Sequence, residues 1–329
     1  MIKVALLNDY QRVAMGLAPW EELSPRATVQ AFHDHQVDAD ALVERLAGYD
    51  VVMAMRERTP FPRTLLERLP KLKLIASAGM RNAAIDMEAA TELGIVVCGT
   101  AGGLRPTMEL SWGLIFAITR RIALEHQAMR EGAWQAGPLG VTLEGRTLGL
   151  AGLGNIGAQM AEVARAFRMD VTAWSEHLTD ERAAECGARR VSREELLRGA
   201  DIVSIHLRLS GRTRGLFGAS DLALMKPTAY LINTSRGPIV TEQALIEALR
   251  AGKIAGAGLD VYDEEPLPAD HPLRSLDNVV LTPHTGYVTE EVYGAFYRET
   301  LENIQSWLNG EPQRVIDPAV LPHARRPED

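Results

Sequence analysis

Short apolar runs alternate with segments of helical periodicity along almost the whole chain, which is the pattern of an α/β protein with parallel sheets. In the first hundred residues the apolar runs predict five strands, and stretches such as DADALVERLA and DMEAATELG predict helices between them. The predicted strands cover residues 2–7, 28–32, 50–54, 72–76 and 95–98.

A second series of strands and helices begins at GRTLGLAGLGNIG and ends near residue 282. Its later strands are predicted at residues 171–174, 201–206, 229–234, 255–260 and 279–282.

Two of the predicted helices are long. The helix at residues 107–130 is apolar nearly all round, which predicts burial between domains or against a second subunit, and therefore a homodimer. The helix at about residues 290–308 carries a single apolar stripe. The tail after Gly310 is rich in proline and arginine and is expected to fray.

The chain has 329 residues, so two domains are expected. A hydrophobic content of 46% and a charged content of 24% are typical of a soluble globular protein. A net charge of -8 without a basic cluster argues against nucleic acid or an anionic membrane as a partner. Two cysteines are too few for a disulfide framework or a thiolate metal site, and the histidines form no metal-ligand pattern. No signal peptide is apparent and no apolar stretch could cross a bilayer, so we expect a cytoplasmic protein.

The segment GLAGLGNIG contains the pattern G-x-G-x-x-G at Gly152, Gly154 and Gly157. The pattern alone is weak, but here it follows an apolar strand and opens a helix. The first glycine permits a tight turn, the second lets the backbone approach a pyrophosphate, and the third lets helix and strand pack closely. The amides of Asn155 and Ile156 then face the anion at the positive end of the helix dipole. The segment predicts a dinucleotide cradle, with a turn that binds no ligand as the alternative.

The end of the second strand in this series distinguishes NAD from NADP. An acidic residue there would bind the adenosine ribose of NAD, but the strand DVTAWS ends at Ser175. Glu176 follows and disfavours a 2′-phosphate by like-charge repulsion, and the nearest arginine along the chain is Arg182. The sequence therefore favours NAD and leaves NADP open.

Three residues of unusual chemistry follow the later strands. LINTSRG presents Arg236, GLDVYDEEPL leads to Glu265, and LTPHTG presents His284. Ligands of open α/β sheets bind outside the carboxyl ends of the strands, so these loops can converge beside the dinucleotide. Taken singly, each residue is better explained by a structural role. Their joint position beside the cradle favours an active site.

The three side chains suit the reduction of a 2-oxo acid. As hydride arrives at the carbonyl carbon, charge develops on the oxygen, and a cationic imidazole within reach supplies the proton. A carboxylate beside the ring orients it and fixes its tautomer. A guanidinium can hold the carboxylate and carbonyl oxygens in its planar fork. His284 is then the acid in reduction and the base in oxidation, Glu265 orients it, and Arg236 holds the substrate.

At these residues the chain resembles the D-isomer-specific 2-hydroxyacid dehydrogenase family. The resemblance extends over nearly the whole chain, and its most specific motifs are GLGNIG, NTSRG, GAGLDVYDEEPL and LTPHTG. It implies that Arg236, Glu265 and His284 occupy the catalytic positions and that Asp260 contacts the nicotinamide carboxamide. The other residues expected to contact the cofactor are Thr107, Thr234 and Gly286.

The resemblance also implies the fold, which is two α/β domains that each contain a doubly wound parallel sheet. One is a flavodoxin-like substrate domain made of residues 1–101 plus 285–329. The other is an inserted Rossmann dinucleotide-binding domain, residues 102–284.

The chain departs from the family where the substrate is expected to bind. The glycine-rich loop whose amides bind the substrate carboxylate corresponds here to SAGMRNAAID. Gly79 is kept, but Arg81 stands where a second glycine is usual. The amides of Met80 and Arg81 remain candidates for the carboxylate. The Arg81 side chain would favour a substrate with a further anionic or polar group, with an arginine that is merely exposed on the loop as the alternative. The loop GTAGGLRPTME is one residue shorter than usual, and Arg208 replaces a usual proline.

These features favour an NAD(H)-dependent oxidoreductase acting on a small D-2-hydroxy acid or 2-oxo acid of the glyoxylate, hydroxypyruvate or 3-phosphoglycerate type. Two alternatives stay open. Similar proteins oxidise phosphite with the same three residues. Co-repressors of this fold also keep these three residues, but they bind NAD as a sensor. Formate dehydrogenases are also similar but carry glutamine in place of Glu265, so they are set aside.

Overall fold

The computed structural model describes residues 1–102 and 105–328. The chain divides into two compact units, Met1–Gly103 with Val288–Asp329 and Leu104–Tyr287, which we call the first and the second unit. Gly103 and Leu104, in the shortened loop GTAGGLRPTME, lie outside the described residues.

The expected domain boundaries, after residues 101 and 284, lie two and three residues from this division. Hydrogen bonds to Asp260 explain why the second unit extends beyond residue 284. The Asp260 carboxylate accepts hydrogen bonds from the amides of Thr285 and Gly286 at 2.7 and 2.9 Å, which ties both residues to the second unit.

The first unit contains a parallel sheet of five short strands in the order β2-β1-β3-β4-β5, which is the flavodoxin-like order. Residues of β3, β4 and β5 are buried throughout, as expected for strands covered on both faces. The five predicted strands are confirmed. They are β1 (Ile2–Leu6), β2 (Ala27–Ala31), β3 (Val51–Ala54), β4 (Leu74–Ser77) and β5 (Val96–Gly99).

Helices connect these strands, and the carboxylates of Asp38 and Asp86 cap the second and the fourth of them. The C-terminal helix, Glu290–Leu308, also belongs to the first unit and buries Phe296 and Ile304 on its apolar stripe. The other helices are α1 (Ala14–Leu17), α2 (Ala39–Leu46), α3 (Arg63–Leu66) and α4 (Met87–Glu92), with 3₁₀ turns at Trp20–Leu23, Arg56–Arg58 and Pro318–His323.

The tail after Gly310 packs against the first unit, so the expectation that it frays is wrong. The amide of Gly99 donates to the carbonyl of Arg314 at 2.9 Å, and the amide of Ile316 donates to the carbonyl of Val97 at 2.8 Å. The tail therefore satisfies the free edge of β5, which composition alone does not reveal.

The second unit contains a seven-stranded parallel sheet in the order β12-β11-β10-β9-β6-β7-β8. The chain starts in the interior at β6 and winds outwards in both directions, as in a Rossmann fold. Strand β8 was not predicted because its two residues are exposed arginines without an apolar signal. The strands are β6 (Thr147–Ala151), β7 (Asp170–Trp174), β8 (Arg189–Arg190), β9 (Ile202–Ile205), β10 (Tyr230–Asn233), β11 (Gly256–Leu259) and β12 (Val279–Leu281).

Seven helices flank this sheet, and none of the helices in the described part of the chain has both the length and the apolar character to cross a bilayer. The first of them lies close to β11, since a Cβ on Gly258 would lie 3.0 Å from Leu114 Cβ and a Cβ on Gly256 would lie 3.2 Å from Ile118 Cδ1. The helices are α5 (Arg105–Thr119), α6 (Ile122–Arg130), α7 (Asn155–Ala166), α8 (Asp180–Glu185), α9 (Arg193–Gly199), α10 (Ala219–Leu222) and α11 (Glu242–Arg250), with 3₁₀ turns at Gly237–Ile239 and Pro272–Ser275.

The single helix predicted at residues 107–130 is in fact two, α5 and α6. Arg121 between them adopts a left-handed conformation with φ of 56°. The carbonyl of Thr119 accepts the amide of Val141 at 2.8 Å instead of continuing the helix ladder. The Thr119 hydroxyl also donates to the carbonyl of Ile115, a bond that bends helices. Helix α5 is largely buried within the second unit, whereas α6 has no buried residue.

Candidate active site

The glycine turn after β6 has the geometry of a phosphate cradle. Gly152 has φ of 102°, and its amide donates to the carbonyl of Trp174 at the end of β7. A Cβ on Gly152 would lie 2.7 Å from the carbonyl oxygen of His206, and a Cβ on Gly157 would lie 2.2 Å from the oxygen of Gly152. Only glycine fits at either position, so the turn is closed tightly against both neighbouring strands.

Gly154 faces open space at the N-terminus of α7. A Cβ there would meet no atom within 4 Å, and Gly154 offers no side-chain cap. The first helical hydrogen bond runs from the amide of Ala158 to the carbonyl of Gly154, so the amides of Asn155, Ile156 and Gly157 lack partners within the helix. Unpaired amides, a helix dipole and free space together fit the pyrophosphate of a dinucleotide.

Ser175 and Glu176 follow β7, where the adenosine ribose of a dinucleotide is expected. Ser175 is half-buried, and the carboxylate of Glu176 forms an ion pair with Arg212 at 3.2 Å. Arg182, the nearest arginine along the chain, instead pairs with Glu185 at 3.3 Å. Arg212 lies in the loop after β9, so no local signal in the sequence could identify it as the neighbour of Glu176.

Glu265 and His284 form a tight pair in the second unit. His284 Nδ1 lies 2.5 Å from Glu265 Oε2, and the second carboxylate oxygen accepts the amide of Tyr262 at 2.9 Å. An ionised carboxylate only accepts, so the proton of this bond resides on Nδ1, and Nε2 is the nitrogen available for another group. Both side chains are half-buried, and His284 has φ of 52°, a strained conformation that occurs often at functional sites.

A second histidine–carboxylate pair in the same unit shows what distinguishes His284. His271 Nε2 lies 3.1 Å from Glu242, and its Nδ1 accepts the amide of Leu273 at 3.3 Å. Both ring nitrogens of His271 are therefore used in holding a turn. Nε2 of His284, by contrast, makes no hydrogen bond to any residue that the structure describes. The pair at His284 is therefore the one suited to exchange a proton with a ligand.

Arg236 follows β10 in a segment that packs against the loop carrying Glu265. Asn233 holds this segment by donating its side-chain amide to the carbonyl of Arg236 at 3.0 Å. A Cβ on Gly237 would lie 2.1 Å from the carbonyl carbon of Tyr262, whose amide binds Glu265. The structure thus brings the Arg236 segment, Glu265 and His284 together at the carboxyl ends of β10, β11 and β12.

Asp260 is almost fully buried, and its carboxylate is engaged by the loop that bears His284. It accepts hydrogen bonds from the Thr282 hydroxyl at 2.6 Å and from the amides of Thr285 and Gly286 at 2.7 and 2.9 Å. Burial, the largest influence, raises the pKa of the carboxyl against the effect of these bonds. Asp260 therefore clamps both sides of His284. Thr282 is visible in LTPHTG, but the sequence carried no sign of this role.

Helix α5 links Thr107, Thr234 and Gly286, the remaining residues expected to contact the cofactor. The Thr107 hydroxyl donates to the carbonyl of Gly286 at 3.0 Å, and the Ser111 and Thr234 hydroxyls lie 2.7 Å apart. The loops after β10 and β12 are thus bound to one helix. Ser111, which the sequence analysis did not single out, takes part in this arrangement.

The expected substrate residues Gly79, Met80 and Arg81 belong to the first unit. Gly79 has φ of 94°, and its amide donates to the Thr100 hydroxyl at 2.8 Å. The Gly79 amide is thus already hydrogen-bonded within the protein. The amides of Met80 and Arg81 have no acceptor among the described residues, and both side chains are exposed. In the described part of the chain no group of histidine, cysteine, aspartate and glutamate side chains could hold a metal ion.

The parallel sheet with its glycine cradle places the second unit among the dinucleotide-binding domains of oxidoreductases. Residues 112–286 match the family described as D-isomer specific 2-hydroxyacid dehydrogenase, NAD binding domain. The chain is 42% identical over 267 residues to a glyoxylate reductase from Aeropyrum pernix, covering 78% of this chain and 80% of that protein. The chain therefore belongs to the D-isomer-specific 2-hydroxyacid dehydrogenase family and is an NAD-dependent oxidoreductase.

Other relatives extend the comparison. A D-3-phosphoglycerate dehydrogenase from Methanocaldococcus jannaschii is 38% identical over 290 residues, which cover 87% of this chain and 55% of that protein. The chain thus spans about half the length of that relative. A crystal structure of a phosphoglycerate oxidoreductase from Vibrio cholerae is 36% identical and superposes with a TM-score of 0.90, covering 94% of this chain and 100% of the other.

Proposed function

We propose that this protein catalyses reversible hydride transfer between NAD(H) and a small D-2-hydroxy acid and its 2-oxo acid. The observation that carries the proposal is the pair of His284 and Glu265, joined at 2.5 Å with Nε2 of the ring unused by the protein. The pair lies in the loops that follow β11 and β12 of the dinucleotide-binding sheet. The relatives named above act on glyoxylate and 3-phosphoglycerate according to their names, and we propose substrates of the glyoxylate, hydroxypyruvate or 3-phosphoglycerate type.

In this reaction His284, Glu265 and Arg236 each have a separate role. When bound, NADH supplies the hydride that reaches the carbonyl carbon. His284 delivers a proton from Nε2 to the carbonyl oxygen, and Glu265 accepts the Nδ1 proton in a hydrogen bond that keeps the ring oriented. Arg236 binds the carboxylate and carbonyl oxygens of the acid.

A substrate panel with a matched pair of variants tests this function. The 329-residue protein is assayed with glyoxylate and hydroxypyruvate in the presence of NADH or NADPH, and with 3-phosphoglycerate and phosphite in the presence of NAD⁺ or NADP⁺. We expect reduction of a 2-oxo acid with NADH, and we expect His284→Ala to lower kcat by ~100-fold or more while NADH still binds, which is the scale of general acid catalysis. His271→Ala removes the second histidine–carboxylate pair of the same unit and serves as the control, with activity near that of the wild type.

Three outcomes would count against the proposal. Oxidation of phosphite without turnover of any 2-oxo acid would replace it with the phosphite reaction. NADH binding without turnover of any compound would favour a sensor of the cofactor. Full turnover by His284→Ala would show that His284 is not the general acid.

We further propose that the protein is a homodimer formed through residues 122–139 of the second unit. This segment leaves large apolar side chains in water, since Trp134 is 77% and Leu139 is 96% exposed. Exposed apolar side chains of this size within one short segment are typical of subunit interfaces. Sedimentation equilibrium should give about twice the 36.0 kDa of one chain. A mass of one chain at micromolar concentration would contradict the proposal, and Trp134→Glu with Leu139→Glu should lower the mass if this surface forms the interface.

A further inference from the structure

Tyr262 is a buried tyrosine that joins the ends of two strands at the site. It follows β11 and precedes Glu265 in the same loop. Its phenol donates to the carbonyl of Thr282 at 2.8 Å and to the carbonyl of Leu259 at 3.1 Å. A phenol carries one proton, so the two carbonyls share it. The hydroxyl therefore connects the carboxyl end of β11 with that of β12.

The phenol also helps to hold the backbone of His284. The Thr282 carbonyl that accepts the phenol accepts the amide of His284 as well, at 3.1 Å. A carbonyl oxygen has two lone pairs, so it can bind both donors at once. His284 has φ of 52°, a conformation that persists only where its surroundings enforce it. The hydrogen bond from Tyr262 is one of the contacts that do so.

The backbone of Tyr262 fixes the other two segments of the site. Its amide donates to Oε1 of Glu265 at 2.9 Å, and Oε2 of the same carboxylate lies 2.5 Å from Nδ1 of His284. On its carbonyl side, a Cβ on Gly237 would lie 2.2 Å from the Tyr262 oxygen, so the turn after Arg236 packs directly on this residue. Tyr262 thus contacts the segments that carry all three assigned residues.

The phenol remains a donor at and above neutral pH. Burial, the largest influence, raises the pKa of the Tyr262 phenol, and the carboxylates of Asp260 and Glu265 raise it further. The oxygen therefore keeps its proton where the imidazole of His284 can lose one. A group that keeps its proton can hold its neighbours in place but cannot act as a base.

We propose that Tyr262 is a positioning residue for the proton transfer assigned to His284. Its phenol holds the loop of His284 and its amide holds Glu265, so the ring and the carboxylate stay aligned. Without the phenol this loop gains freedom, and Nε2 spends less time in the orientation that reaches the substrate. The inference rests on the proposed function and adds to it a residue that touches neither substrate nor cofactor.

Phenylalanine at position 262 removes the hydroxyl and keeps the packing. The ring belongs to a core cluster with Leu259 and Leu273, which phenylalanine would still fill. Both carbonyls keep a second donor, because the amide of Thr282 binds Leu259 at 2.9 Å and the amide of His284 binds Thr282. Tyr262→Phe therefore leaves no carbonyl unpaired and should fold with a Tm close to that of the wild type.

The test compares Tyr262→Phe with Tyr230→Phe in the 329-residue protein. Tyr230 is a buried tyrosine at the start of β10, the end of the strand away from the site, so its variant controls for the loss of a phenol. Tm, NADH affinity, and kcat and KM for the 2-oxo acid are measured as a function of pH. Both changes are also made in a His284→Ala background. Proton NMR follows the Nδ1 proton of His284, which is identified by its absence from His284→Ala.

We expect Tyr262→Phe to lower kcat by about 10-fold or more, since small displacements of catalytic groups are costly, while KM and NADH affinity stay near the wild-type values. The alkaline limb of the kcat profile should move to lower pH, because a carboxylate held less closely stabilises the imidazolium less. The Nδ1 resonance should shift or broaden. In the His284→Ala background the same change should have no further effect, because the phenol acts through His284. Tyr230→Phe should match its parent in every measurement.

The outcomes separate this inference from the proposed function. If the wild type reduces a 2-oxo acid and Tyr262→Phe keeps its kcat and pH profile, the inference fails and the proposed function stands. A loss that persists in full in the His284→Ala background would also overturn the inference, because Tyr262 would then act by another route. If the wild type reduces no 2-oxo acid, the proposed function fails. The Nδ1 resonance then decides whether Tyr262 aligns the pair, and an unchanged signal in Tyr262→Phe overturns that role.

Discussion

Replacing Asp260 by asparagine tests how the loop bearing His284 is held. The change preserves the shape of the side chain and replaces one carboxylate oxygen by an amide that donates. Oδ1 of Asp260 accepts the Thr282 hydroxyl and the amide of Thr285, and Oδ2 accepts the amide of Gly286. In either orientation of asparagine, its NH₂ group faces at least one backbone amide that also donates.

The expected cost follows from these bonds. One buried amide left without an acceptor costs about 1–3 kcal/mol, and the loss of charge weakens the remaining bonds by roughly 1 kcal/mol. A partial gain opposes this cost, because burial raises the pKa of Asp260 and the asparagine avoids burying a charge. We therefore expect Asp260→Asn to destabilise the protein by roughly 2–3 kcal/mol. For a unit of this size that corresponds to a fall in Tm of about 4–12 °C.

Scanning calorimetry and kinetics measure the two consequences. Relaxation of the loop displaces His284, so kcat for the 2-oxo acid should fall about 10-fold or more, since small displacements of catalytic groups are costly. Asp277→Asn makes the same chemical change at an exposed position and should behave as the wild type. An Asp260→Asn protein that melts within about 1 °C of the wild type and keeps its kcat would refute the clamp.

Three further predictions follow from the geometry. Gly154→Ala adds a methyl group in open space and should weaken NADH binding without lowering Tm, whereas Gly157→Ala places Cβ 2.2 Å from a carbonyl oxygen and should lower Tm as well; equal Tm values for the two would contradict this. Burial lowers the pKa of His206 from 6.5 to about 4, so the unfolded chain takes up the proton first and stability falls as pH drops through this window. Urea unfolding at pH 5 and 7.5 should show the wild type losing about 2 kcal/mol more than His206→Asn, and equal losses would refute the assignment. Arg81→Ala should raise KM for a phosphorylated or dicarboxylic substrate far more than for glyoxylate, and equal effects on both would refute a role for that side chain.

Local pattern was sufficient for much of the fold. The alternation of apolar runs and helical segments identified all five strands of the first sheet and six of the seven in the second, because a buried parallel strand is a continuous apolar run. Strand β8 was not predicted, because its two exposed arginines carry no such signal. The helix at 107–130 was placed correctly but not divided, because the break depends on Val141 binding the carbonyl of Thr119.

The candidate site divides in the same way. The sequence by itself determined which residue types follow which strands: the glycines of the cradle, and Arg236, Glu265 and His284 at the ends of later strands. Parallel strands place their carboxyl ends along one edge, so convergence could be predicted from order alone.

Only the tertiary structure decided which polar atoms are bonded within the protein and which remain available to a ligand. It assigned the oxygens of Asp260 to the loop around His284, used the amide of Gly79 for Thr100, and paired Glu176 with Arg212 and Arg182 with Glu185. Each of these contacts joins residues far apart along the chain, and local periodicity carries no information about such distances. A hydrogen bond depends on separations of a few tenths of an ångström, which are set by the packing of both sheets with their helices.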